Sequence, residues 1–85
     1  MWETRPPRHA GALASLLGRP KAALLLALAG PASTTELARR LGVTASAVSH
    51  HLAMLHRTGL VGHARAGRVV LYARTELGEQ LARGG

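Results

Sequence analysis

Apolar residues recur along this chain with two periods, helical as far as Gly59 and alternating from Leu60 to Arg74. His9 to Leu17 reads as a short helix closed by Gly18. Pro20 suits the first turn of the next helix, where a missing N–H costs nothing. That helix, about Lys21 to Ala29, is apolar on almost every side and must be buried all round or meet a partner. Gly30-Pro31 ends it. Ser33-Thr34-Thr35-Glu36 then matches a capping box, in which hydroxyl and carboxylate satisfy each other's orphan N–H groups. Leu37, Ala38 and Leu41 face inward behind it, Arg39 and Arg40 face out, and Gly42 stops the helix after two turns. Thr44 is a good N-cap for a second helix to about Thr58, with Gly59 as its left-handed stop.

After Gly59 the alternation predicts two short strands, Leu60 to Arg65 and Arg68 to Arg74, joined at Ala66-Gly67. Thr75, followed by Glu76 and Glu79, opens a last short helix that stops at Gly84-Gly85. Residues 1–8, with Trp2, Arg5, Pro6, Pro7 and Arg8, read as a flexible leader to a single domain over 9–83. The expected class is α+β, mainly α: a three-helix core, a β-hairpin wing and a short C-terminal helix. This is a winged helix-turn-helix.

Composition adds a partner. Eleven Lys/Arg against four Asp/Glu give the 85 residues a formal charge of +7, an electrostatic footprint for a polyanion. Arg-rich, high-GC coding would leave the same excess. The apolar 47% is nearly all Ala, Leu and Val, with one Trp, one Tyr and no Phe. Such a core favours helices and offers few platforms for stacking unpaired bases. With no Cys there is no disulfide, thiolate nucleophile or thiolate metal site, which suits a reducing cytoplasm and, for a DNA binder, the nucleoid. Lys21–Gly30 looks like a signal-peptide core, but Arg19, Pro20 and Lys21 separate it from the earlier apolar run. Neither run reaches the roughly 18–20 residues a bilayer requires, so no membrane partner is expected.

On a wheel of residues 44–58, Val48, Leu52 and Leu55 fall within about 60° of one another as a buried stripe. Ser46, Ser49, His50, Ala53 and Arg57 lie opposite. Small residues let a helix approach the floor of the major groove, and hydroxyls and imidazole donate or accept at base edges. A solvated face of low-cost residues is the alternative, although such faces usually carry Glu and Lys. Ser46, Ala47, Ser49 and His50 are therefore the base-reading candidates. Gly42-Val43 before Thr44 fits the turn of a helix-turn-helix, whose first helix crosses the phosphate backbone. Candidate phosphate contacts are Thr34, Thr35, Arg39, Arg40, Thr44 and Arg57. Arg65 and Arg68 bracket Ala66-Gly67 in a wing over residues 64–69, where a narrow minor groove attracts guanidinium. Charge that discourages edge pairing is the competing explanation for these two arginines.

His50 and His51 are adjacent and point about 100° apart; His56 is not one or two turns from either, and His63 and His9 are unpaired in sequence. No pair has the spacing of a helical metal site, so neither metal nor other cofactor is expected. His51, at the edge of the buried stripe, reads as a packing or interhelix hydrogen-bond residue, and Tyr72 as a core or hairpin residue. No catalytic constellation stands out, so an enzyme is not expected. A protein-interaction module that docks a partner through its apolar helices is the alternative to DNA binding.

Thr35-Glu-Leu-Ala-Arg-Arg-Leu-Gly-Val-Thr, Ser46-Ala-Val-Ser-His-His-Leu-Ala-Met-Leu-His-Arg-Thr-Gly-Leu-Val and Ala66-Gly-Arg-Val-Val-Leu-Tyr resemble the ArsR-type (arsenic-repressor-like) winged-helix regulators. The resemblance covers residues 33–74. It implies a repressor-like protein, usually a homodimer on an imperfect inverted repeat of double-stranded DNA. The Ser46–His50 segment would enter the major groove, the Arg65–Arg68 turn would form the wing, and the first and last helices would build the dimer. Metal-sensing members carry thiols in the helix before the turn or His/Asp ligands in the last helix. Residues 37–39 here have no thiol and the last helix no His, so metal sensing by either route is not expected. The short terminal helices and Gly-Gly end suggest the DNA-binding domain of a longer regulator, whose remainder does the sensing.

Overall fold

The computed structural model describes residues 8–84. Among these residues five helices, α1 (Arg8–Leu17), α2 (Arg19–Ala27), α3 (Thr34–Leu41), α4 (Ala45–Arg57) and α5 (Glu76–Arg83), pack together beside a hairpin of β1 (Val61–Ala66) and β2 (Val69–Arg74). The leader expected over residues 1–8 lies outside the described residues except for Arg8, which is already helical. The capping box forms as read: the Ser33 hydroxyl accepts from the Glu36 N–H at 3.2 Å, and the Ser33 N–H donates to the Glu36 carboxylate at 2.9 Å. Thr44 and Thr75 cap α4 and α5 by accepting from the N–H groups of Ala47 and Gly78, each at 3.1 Å. Gly42 ends α3 at φ 69°, a left-handed conformation that lets α4 depart within three residues.

Two boundaries differ from expectation. α2 begins at Arg19 and ends at Ala27, because the Leu28 N–H reaches the carbonyls of both Leu24 and Leu25 and tightens the last turn. In the hairpin, Val61 pairs with Arg74 and Ala66 with Val69, so the loop is Gly67-Arg68, one residue later than the sequence suggested. That register puts Val61 in the core and leaves Arg68 at the tip.

The core lies where α2, α3, α4 and β1 converge. Leu24, Leu25, Leu28, Leu37, Leu52 and Leu55 are buried, joined by Val48, Leu60 and Val61. Among the described residues its buried side chains are all aliphatic, and Tyr72 packs half-buried against them. The expectation for α2 holds in part: Ala22, Leu24 and Leu25 are buried, whereas Leu26 remains 37% exposed. The hairpin is tied back to the rest of the domain. Ala32 forms an antiparallel bridge with Tyr72, its N–H donating at 3.0 Å and its carbonyl accepting at 2.8 Å. Arg74 Nη1 donates to the Leu25 carbonyl at 3.3 Å, and its Nε stands 3.4 Å from a Glu79 carboxylate oxygen. No helix among the described residues is long and apolar enough to cross a membrane.

Candidate nucleic-acid interface

α4 presents the two faces the wheel predicts. Val48, Leu52 and Leu55 are buried, and Ser46, Ser49, His50, Ala53 and Arg57 are all exposed. The outward strip is thus short-chained over its first two turns and ends in a guanidinium. Ala47 does not share that strip: it is half-buried and lines a cleft against α2. Met54, which the sequence pattern did not single out, borders that strip at 38% exposure. Its position four residues after His50 and three before Arg57 was the available signal.

The wing and the start of α3 extend the strip. A groove of about 480 Å³ is lined by Thr34, Thr35, Ser49, Arg68 and Tyr72, with Ser33, Val69 and Val70 completing it. Sequence positions 34 apart are therefore brought to one surface, because the Ala32–Tyr72 bridge holds β2 beside the first turn of α3. Thr34 and Thr35 stand at the amino-terminal end of α3, where unpaired N–H groups and the helix dipole favour an anion. Arg68 faces the groove from the wing tip, while Arg65 is exposed on β1 and paired with Val70 of β2.

The remaining predicted cations lie apart from this groove. Arg39 and Arg40 are exposed in the last turn of α3, at the far end from Thr34. Arg40 Nη1 donates to the Ala27 carbonyl at 3.5 Å, a long contact that draws it toward the end of α2. Together with the Ser33 N–H, which is the main cause, Arg40 and Arg39 hold the Glu36 carboxyl below its ordinary range. Thr44 is exposed, and its hydroxyl is engaged in the cap of α4.

The histidines are arranged differently from what the sequence suggested. His56 of α4 and His63 of β1, unpaired in sequence, stack with ring centroids 4.7 Å apart, and Tyr72 follows at 5.5 Å from His63. The end of α4 is thereby seated on the hairpin. His51 packs half-buried against α2, but among the described residues its Nδ1 is buried without any hydrogen-bond partner. The interhelix hydrogen bond considered for it is absent at that nitrogen.

A helix-turn-helix beside a two-stranded wing, on a domain of charge +7, invites comparison with known regulators. The sequence profile of bacterial regulatory proteins of the ArsR family matches residues 18–62. The chain belongs to the ArsR family. The HTH-type transcriptional regulator NmtR of Mycobacterium tuberculosis is 48% identical over 44 residues, which span 52% of this chain and 37% of NmtR. The predicted DNA-binding transcriptional regulator of E. coli superposes with a TM-score of 0.69 at 33% identity, covering 87% of this chain and 82% of that one. HlyU of Vibrio vulnificus gives 0.73 at 26% identity, covering 86% and 80%. The ArsR-family fold here is thus the winged-helix DNA-binding fold of transcriptional regulators, which are not enzymes.

Proposed function

We propose that the domain is a sequence-specific reader of double-stranded DNA and acts as a repressor-like regulator. The α4 helix lies in the major groove, with Ser46, Ser49 and His50 at base edges and Arg57 on phosphate. The wing over residues 64–69 approaches the minor groove through Arg65 and Arg68. Thr34, Thr35 and Thr44 take backbone phosphates beside the groove, with Arg39 and Arg40 further along the duplex. The observation that carries this reading is the continuity of the polar outward strip of α4 with the Thr34–Ser49–Arg68 groove. Family membership supports it.

The same reading takes the active form to be a homodimer on an inverted repeat. α1 and α5 pack on each other, and exposed Leu16 (70%) on α1 and Leu77 (51%) on α5 are apolar positions suited to a second copy. With no Cys in the chain, a thiolate metal switch is not part of the proposal. Selection of bound duplexes from a random pool, followed by anisotropy titrations across salt, tests it. We expect a two-fold-related consensus, and a log–log salt slope that Arg68→Ala makes shallower by about one unit per protomer. A flat salt response, or a pool that yields no consensus, overturns the reading.

A further inference from the structure

Side chains alternate along β2, so Val70 and Tyr72 share one face of the hairpin, and both line the groove with Thr34, Thr35, Ser49 and Arg68. The backbone of Tyr72 is fastened to Ala32 in both directions, by hydrogen bonds of 3.0 and 2.8 Å. Its ring lies 5.5 Å from that of His63, its partner across the hairpin, and His63 rests in turn on His56 of α4. Tyr72 is thus held both through its backbone and beside its ring. It is half-buried there and still borders the groove.

Packing alone does not account for a tyrosine at this position. The core beside it is aliphatic, and a phenylalanine would fill the same space with no hydroxyl to satisfy. A phenol withdrawn from water usually finds a hydrogen-bond partner. Among the described residues no group hydrogen-bonds the Tyr72 hydroxyl. The polar side chains around the groove are hydroxyls and the Arg68 guanidinium, and no carboxylate lines it. All of them can donate, and what the groove lacks is a strong acceptor. The oxygens of a phosphate diester are such acceptors, and they take hydrogen bonds from tyrosine as they do from Ser, Thr and Arg.

We propose that Tyr72 is a DNA-contact residue, its hydroxyl donating to one backbone phosphate that lies between the base edges at α4 and the groove entered by the wing. This assignment rests on the DNA-binding reading above and extends it from the tip of the hairpin to its body. A phosphate contact carries no base information of its own, but it fixes register. Because Tyr72 is bridged to Ala32 and shares the groove with Ser49, the phosphate it holds sets where along the duplex α4 meets the bases.

Tyr72 is the only tyrosine of the chain, so isotope labelling at the tyrosine Cζ gives a single resonance to follow as a selected duplex is added. The expected result is a resonance that moves until the DNA saturates. Tyr72→Phe keeps the ring and should weaken selected and unrelated duplexes alike by about tenfold. Its log–log salt slope should match the wild type, because a phenol neutralises no phosphate charge. Methylphosphonate, which removes the charge of one phosphate, is then placed at each position of a half-site in turn. At one position the wild type and Tyr72→Phe should bind within about twofold of each other, the mark of a direct pair. Binding with an unmoved resonance overturns the assignment, as does Tyr72→Phe binding unmodified DNA within about twofold of the wild type. A loss that persists at every methylphosphonate position also overturns it, since the hydroxyl then acts through the fold. If Tyr72→Phe does not fold, the labelled wild type decides: the movement of its resonance must shrink at one modified phosphate and not at the others. Failure of the wild-type chain to bind any duplex in anisotropy overturns the DNA-binding reading itself, and the assignment with it.

Discussion

The face made by α3, α4 and the wing exposes hydroxyls, imidazole and arginine, whereas the α1–α5 end exposes Leu16 and Leu77. Both faces belong to short helices around one small aliphatic core. Water treats them differently. Ser49, His50 and Arg68 cost nothing in solvent until a polyanion arrives. Leu16, 70% exposed, and Leu77, 51% exposed, forgo roughly that share of the about 1.5–3 kcal/mol that fully burying a leucine returns. One face is therefore stable as it stands and reads a charged partner, and the other is incomplete without an apolar one.

The largest effect that tests this contrast is at the incomplete end. Leu16→Glu combined with Leu77→Glu should weaken self-association by about 100-fold, or about 3 kcal/mol, in sedimentation, while circular dichroism stays helical. A wild-type chain that sediments as a monomer at about 100 μM breaks the comparison outright. Next comes the joint between the two ends. A Cβ on Gly78 would run into the Leu60 carbonyl oxygen, so Gly78→Ala should lower stability by about 2–3 kcal/mol in denaturant titration. On the polar face, His50→Ala should weaken the selected duplex by about tenfold and unrelated duplexes hardly at all. Thr44→Ala removes the cap of α4 and should cost about 1 kcal/mol in thermal unfolding, with Thr44→Ser restoring it.

The smallest effect is electrostatic. Glu36 has a folded pKa below its ordinary 4.5, so its contribution is present above that value and is lost as pH falls through the lower, folded one. Thermal midpoints should decline with acidification in that window, and Glu36→Gln should flatten that part of the profile.

Much of the polar face was legible because its determinants are local. Ser33 with Glu36, Thr44 and Thr75 announce helix starts within four residues, and Gly42 announces a stop. The buried stripe of α4 followed from periodicity alone. What escaped was non-local. The His56–His63 stack requires the chain to turn back at Gly59, and the Ala32–Tyr72 bridge depends on one residue between Pro31 and Ser33 that shows no alternation. The end of α2 moved ahead of its Gly30-Pro31 stop because nothing in a run of leucines and alanines marks the turn that tightens at Leu28. Ala47, a base-reading candidate outside the outward strip of the wheel, lies against α2, whose approach the sequence does not show. Arg40 looked free in sequence, and only packing revealed the Ala27 carbonyl beside it.

The Ala32–Tyr72 bridge fixes more than a strand edge. It fastens the wing to the residue just ahead of the cap of α3, and so sets the spacing between the base of the wing and the outward strip of α4. On the proposed reading, a duplex that bends or narrows to match that spacing engages both contacts more easily. Base steps between them that bend or narrow easily are then favoured over stiff ones, and discrimination extends to base pairs no side chain touches.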